Sequence, residues 1–274
     1  MKPKPFLTAI LLLFSLSIFA IQVDTVRIFS TAMQKELSAI VVTPGGYSKD
    51  KRFPVVYLLH GHGGNHRDWA AEGQGGGTKF LADTYNVILV MPDGGNSWFF
   101  DSPVNPAIRY ETFISRELVE FIDKNYSTIA SREGRAITGL SMGGHGALYL
   151  AFRNQDVFGA AGSMSGGVDI RPFPNNWSLP ELLGTQAEHP ENWEQHTVIN
   201  LTHLLDPDNP LAIIFDSGLD GLFYIENRQL HEKLKYKNIL HDFISRPGGH
   251  NWNYFRNSIR FQMLFFDDFF RRRE

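Results

Sequence analysis

A serine with glycine two residues before it and two after stands at Gly139-Leu140-Ser141-Met142-Gly143. It follows a short apolar run, Ala136 to Leu140, and opens a helical pattern through Ala147, Leu148 and Ala151. A sharp turn between strand and helix would raise the Ser141 hydroxyl above a sheet. Such a turn crowds its neighbours, which explains glycine on both sides, and the helix start offers backbone N–H groups to an oxyanion. The chemistry is nucleophilic attack by a hydroxyl, set against the plainer alternative of a structural glycine turn. Ser163 and Ser165, in Gly162-Ser163-Met164-Ser165-Gly166, do not have the spacing.

A serine hydroxyl needs a base to take its proton, and in this arrangement the chain order is serine, acid, histidine. His250 lies in Pro247-Gly248-Gly249-His250-Asn251-Trp252, between the strand-like Phe243 to Ser245 and a final helix, where an imidazole can hang over the sheet edge. His231 and His241 fall within or beside regular elements and read as surface or packing residues. Two acids follow the run Leu211 to Phe215: Asp216 at its end and Asp220 further out in Ser217-Gly218-Leu219-Asp220-Gly221. Aspartate is also common in glycine turns for local reasons, so the residues alone leave both open. An oxyanion hole needs the N–H after the nucleophile, that of Met142, and a second donor. His60-Gly61-His62-Gly63-Gly64 supplies one in the His62 N–H. His60, His62 and His66 could instead be zinc ligands, but no carboxylate pattern accompanies them. The expected chemistry requires no metal and no cofactor.

The elements that would hold these residues are legible as two kinds of pattern. Phe53 to Leu59, Val87 to Met91, Ala136 to Leu140 and Leu211 to Phe215 are short and continuously apolar, as in strands covered on both faces of a parallel sheet. Tyr110 to Asn125 is amphipathic, with Ile114, Leu118, Phe121 and Ile122 on one face and Glu117, Glu120 and Lys124 away from it. Further helices are expected at Gly143 to Asn154, Ile225 to Lys235 and Trp252 to Phe270. Val23 to Phe29 and Leu37 to Val42 alternate as an N-terminal hairpin does, with a turn at Pro44-Gly45-Gly46. Alternating strands and helices predict a doubly wound α/β sandwich. Gly167 to Leu205 breaks the alternation and reads as an inserted lid or substrate-binding segment.

The 274 residues, 43% of them apolar, are enough for one catalytic domain over residues 21–274. A net charge of −3 gives no field that would recruit nucleic acid or an anionic membrane. Lys2 and Lys4 precede an apolar run from Phe6 to Ile21 that ends near Ala20, the pattern of an export signal over residues 1–20. The run falls short of the ~20 apolar residues of a spanning helix, so no stable membrane insertion is expected after cleavage. The chain has no cysteine, which excludes disulfides, a thiol nucleophile and a lipidated cysteine. Export to the periplasm or beyond is the expectation.

Several segments in order resemble the esterase D and feruloyl esterase family of α/β-hydrolases, which includes S-formylglutathione hydrolases, acetylxylan and feruloyl esterases, and mycolyltransferases. They are Tyr57 to Trp69 (YLLHGHGGNHRDW), Met91 to Asp101 (MPDGGNSWFFD), Tyr110 to Asp123, Gly139 to Ala147 (GLSMGGHGA), Gly218 to Asp220 with Asn227-Arg228, and Gly248 to Trp252. The resemblance implies an α/β-hydrolase fold and a triad of Ser141, His250 and Asp220, with Asp220 preferred over Asp216 for its place in the glycine turn. It puts the oxyanion donors on His62 and Met142 and suggests that Asn96, Ser97 and Trp98 line the cleft, although Trp98 could equally pack against the insertion. The implied activity is two-step hydrolysis of acetyl or feruloyl esters, on small molecules or plant polysaccharide. Acyl transfer to a sugar hydroxyl would want a long apolar channel, of which the insertion gives no sign. A non-catalytic carbohydrate-binding relative is disfavoured by the full serine, acid and histidine set. Gly167 to Leu205 matches no subfamily pattern, so substrate choice stays open.

Overall fold

A computed structural model describes residues 20–272; the proposed export signal lies outside the described residues apart from Ala20. In chain order the elements are β1 (Gln22–Ser30), β2 (Lys35–Thr43), β3 (Val55–Leu59), α1 (Thr78–Tyr85), β4 (Ile88–Pro92), α2 (Tyr110–Thr112), a π-helical stretch (Phe113–Leu118), α3 (Val119–Asn125), β5 (Arg135–Gly139), α4 (Met142–Arg153), β6 (Ala160–Met164), α5 (Leu179–Leu183), α6 (Pro190–Gln195), a 3-10 turn (Val198–His203), β7 (Ala212–Asp220), α7 (Tyr224–Tyr236), β8 (Asp242–Gly249) and α8 (Trp252–Arg271). The strands form one eight-stranded sheet in the order β1-β2-β4-β3-β5-β6-β7-β8. The hairpin β1–β2 and the pair β2–β4 are antiparallel; every other neighbouring pair is parallel.

The continuously apolar strands are explained by two cores. Val55, Tyr57 and Leu59 of β3 face a core shared with the helical stretch 110–125, α4 and α7. Val56 and Leu58 face the other, built with α1 and α8. A strand covered on both sides needs apolar residues at every position, because successive side chains point to opposite faces. The helix expected over Tyr110 to Asn125 is present but interrupted by one π-helical stretch, with Ile114, Leu118 and Ile122 buried.

Two elements differ from the expectation. The strand β6, sequence AAGSM, carries one long apolar side chain, Met164, and α1 buries only Thr78, Leu81 and Ala82. The insertion is folded onto the body: Val168, Ile170, Leu179, Leu182, Leu183, Trp193 and Val198 join the first core. Among the described residues no helix is long and apolar enough to cross a membrane.

Candidate active site

Ser141 stands between β5 and α4 with φ 55° and ψ −119°. A side chain in that region costs on the order of 1–3 kcal/mol, so its surroundings must hold it there. The Ser141 N–H donates to the Met164 carbonyl at 3.0 Å, and its own carbonyl accepts from the His145 N–H at 3.0 Å. The flanking glycines are required by contact. A β-carbon on Gly139 would lie 2.6 Å from the Gly143 carbonyl, and one on Gly143 would lie 2.5 Å from the His60 carbonyl oxygen. The hydroxyl is thereby fixed at the C-terminal edge of the parallel strands, where open α/β sheets place their sites.

His250 follows β8 directly and precedes α8, and its Nε2 lies 2.9 Å from Ser141 Oγ. In the tautomer that leaves Nε2 as acceptor, the serine hydroxyl donates to it. The imidazole meets the rings of Phe223 and Phe255 edge-on at 5.5 and 5.2 Å. Burial pushes its pKa down to about 4, which keeps it an uncharged base at neutral pH. Its Nδ1 is buried and has no hydrogen-bond partner.

The two candidate acids are now distinguished by location. Asp216 sits inside β7, fully buried, with its carboxylate taken by Ser258, by Gln262 Nε2 at 2.9 Å and by Arg246 at 3.7 Å. Asp220 is the exposed last residue of β7, opposite Gly249 across a register irregularity. The structure thus brings Ser141 and His250 together, while no hydrogen bond or ion pair joins the exposed Asp220 to the imidazole.

The Met142 N–H heads α4, in the first turn where N–H groups lack intrahelical acceptors. His62 lies on the exposed loop after β3, which is tied to the loop after β4 by a 2.7 Å hydrogen bond from the Gly63 N–H to Asn96 Oδ1. The Trp177 carbonyl of the insertion lies near the His62 imidazole. His60 donates from Nδ1 to the Gly61 carbonyl at 2.8 Å and accepts the Gly94 N–H on Nε2 at 2.9 Å, while His66 pairs with Asp93 at 3.1 Å. Among the described residues no group of three or more metal-ligating side chains converges.

Of the three suggested cleft residues, Asn96 is exposed, Ser97 is buried and bonded to the Gly94 carbonyl and the Phe99 N–H, and Trp98 is 1% exposed. Trp98 donates from its indole to the Trp177 carbonyl at 3.1 Å and packs on the Trp177 ring at 6.0 Å. The alternative weighed for it, packing against the insertion, is where the structure places it. Sequence reasoning passed over the aromatic group of Phe173, Trp177 and Phe223, whose rings lie 5.2–5.5 Å from one another beside His250. The only sequence signal was an aromatic residue three positions after Asp220.

Comparison with known proteins agrees with this fold. Residues 30–266 match the family model described as putative esterase. An esterase of Mycobacterium tuberculosis is 30% identical over 77% of this chain, and the chain spans 51% of that relative's length. An acetyl esterase of Caldicellulosiruptor saccharolyticus is 25% identical, with 85% of this chain and 94% of that protein covered. A solved ferulic acid esterase superposes with a TM-score of 0.78 at 29% identity, covering 92% of this chain and 99% of that one. Together with the serine turn, the histidine against it and the α/β-hydrolase sheet, the match over residues 30–266 shows that the chain belongs to the putative esterase family.

Proposed function

We propose that the protein is a serine carboxylesterase acting on short acyl or aryl esters of the acetyl and feruloyl type, with polysaccharide-linked esters as the natural substrates. The observation that carries the proposal is the 2.9 Å contact between His250 Nε2 and the strained, glycine-flanked Ser141 Oγ. His250 removes the hydroxyl proton as Ser141 attacks the acyl carbon, and the N–H groups of Met142 and His62 receive the oxyanion. The imidazolium then protonates the leaving alcohol. Water, activated by the same imidazole, releases the acid from the acyl-enzyme. No cofactor enters any step.

Asp220 is the acid of this proposal, and Asp216 is not, because its carboxylate is already committed to Ser258, Gln262 and Arg246. The role requires the Asp220 side chain to turn from solvent toward the buried, unpartnered Nδ1 of His250; its backbone already lies beside Gly249, one residue from that imidazole. The rings of Phe223, Trp177 and Phe173 support a flat acyl group, and the acetyl esterase and ferulic acid esterase relatives support acyl groups of this size. Export, through the Lys2-to-Ile21 signal pattern, would place the enzyme where polysaccharide esters are found.

The test is hydrolysis of p-nitrophenyl acetate, butyrate and octanoate, methyl ferulate and acetylated xylan, with Ser141→Ala alongside. Activity that vanishes in the variant supports the proposal, and the panel ranks the acyl groups. Equal inactivity of both proteins on every ester would overturn it.

A further inference from the structure

Arg246 is an unusual residue to find behind a catalytic histidine. It lies on β8, three positions before Gly249, and all three of its guanidinium nitrogens are buried without a hydrogen bond. Among the described residues its ion-pair partner is Asp216, at 3.7 Å. An isolated ion pair of this kind adds little to stability compared with apolar residues of the same volume. Its guanidinium carbon lies 4.7 Å from the ring centres of both Tyr254 and Phe261 on α8. A desolvated guanidinium over an aromatic face holds that face in place.

Tyr254 in turn touches both sides of His250. Its ring packs so closely on Gly248, two residues before His250, that a β-carbon there would come within 2.6 Å of Cδ2. Gly248 takes φ 141°, which leaves the ring room. On the other side the Tyr254 N–H donates to Asn251 Oδ1 at 3.2 Å, capping α8 at the residue after His250. The chain between Gly248 and Asn251, with His250 in it, is closed at both ends on one residue.

We propose that Tyr254, held by Arg246, is a positioning residue for the catalytic base: the pair fixes the approach of His250 to Ser141 without touching substrate. This rests on the reading of His250 as the base. Asp216 enters as the counter-charge that keeps the guanidinium over the Tyr254 ring, a use of the second candidate acid that involves no proton transfer.

The test compares Tyr254→Leu, Tyr254→Phe, Arg246→Lys and the core variant Met263→Ala with wild type, by steady-state kinetics on p-nitrophenyl acetate and by thermal denaturation, with His250→Ala included. Tyr254→Leu is expected to lower kcat by about 10- to 50-fold with KM within about twofold, as a small misplacement of a reacting group does. Arg246→Lys keeps the charge but not the flat guanidinium, and is expected to lower kcat by about 3- to 10-fold. Tyr254→Phe keeps the ring and recovers most of the rate, while Met263→Ala lowers the melting temperature and leaves kcat unchanged. A folded Tyr254→Leu with wild-type kcat overturns the proposal, as does a kcat loss no larger than that of Met263→Ala. If Tyr254→Leu does not fold, Arg246→Lys decides: wild-type kcat in that variant overturns the proposal. A fully active His250→Ala would instead overturn the reading of His250 as the base, a result distinct from failure of Tyr254 and Arg246 to matter.

Discussion

The turn that carries Ser141 and the strand end that carries Asp220 lie along the same edge of one sheet, and they are built in opposite ways. Around Ser141 the backbone is so crowded that neither Gly139 nor Gly143 has space for a β-carbon, and the serine is held in a strained conformation by hydrogen bonds on both sides. Around Asp220 the strand pairing is irregular, Leu219 is 49% exposed, and the carboxylate faces water. Steric necessity leaves a mark in residue types at fixed spacing. A side chain on an open edge leaves none, which is why the residues taken alone do not separate Asp216 from Asp220 and only the family resemblance favours Asp220.

The sharpest way to break this contrast is at the nucleophile. Ser141→Ala should lower kcat on p-nitrophenyl acetate by about 10⁴- to 10⁶-fold while the protein melts no lower than wild type, since the turn does not depend on the hydroxyl. Next come the two acids. Asp220→Asn should cost about 10²- to 10⁴-fold in kcat with little change in melting temperature, because it removes the orienting charge from an exposed site. Asp216→Asn should instead lose about 3 kcal/mol of stability by leaving Arg246 buried without its counter-charge, with kcat lowered by no more than the about 3- to 10-fold expected of Arg246→Lys. Kinetics and thermal denaturation on both variants check the pair; an exchange of the two outcomes would move the catalytic acid to Asp216.

A smaller effect is expected from Gly143→Ala, where the added methyl group meets the His60 carbonyl oxygen at 2.5 Å. Overpacking against backbone should cost about 1–3 kcal/mol, read from urea denaturation, and a neutral result would mean the turn is looser than its geometry. The smallest concerns His145, one helical turn into α4, fully buried with its pKa pushed down to about 3 by burial. A histidine whose folded pKa lies below its unfolded value contributes stability that is complete above about pH 6.5 and is lost as pH falls from there toward 3. His145→Gln should therefore flatten the acid side of the stability curve by up to about 1.4 kcal/mol per pH unit. An unchanged slope would show that other groups set acid stability.

The same contrast explains what could be read from the chain. The strands β3, β4 and β5 were legible because cover on both faces demands unbroken apolar runs, and α4 and α8 because their patterns are long. β6 was invisible: AAGSM has one long apolar residue, Met164, after four small ones, so it lacks the unbroken apolar run that marks β3, β4 and β5. α1 was missed because Gly77 precedes it without a side-chain cap and its buried residues are few. Within the site, Ser141 and His250 were found by spacing and position. Phe223 was not, since its contacts with Phe173, Trp177 and His250 join residues far apart in the chain, and Tyr254 was not, since its packing on Gly248 and Arg246 depends on how α8 docks against β8.

One residue also says when this site can come into being. Gln262 on α8 reaches Thr138 on β5, 124 residues earlier, and donates to the Ser163 carbonyl on β6 and to Asp216 on β7. A chain emerging N-terminus first exposes the serine turn long before those partners can be answered. Until α8 has cleared the ribosome and docked, the Asp216 carboxylate has neither Ser258 nor Gln262, and the residues that flank His250 have nothing to close on. The enzyme is therefore expected to be synthesised inert and to acquire its activity in one late step, so that a chain stalled before α8 would carry the serine motif but no esterase.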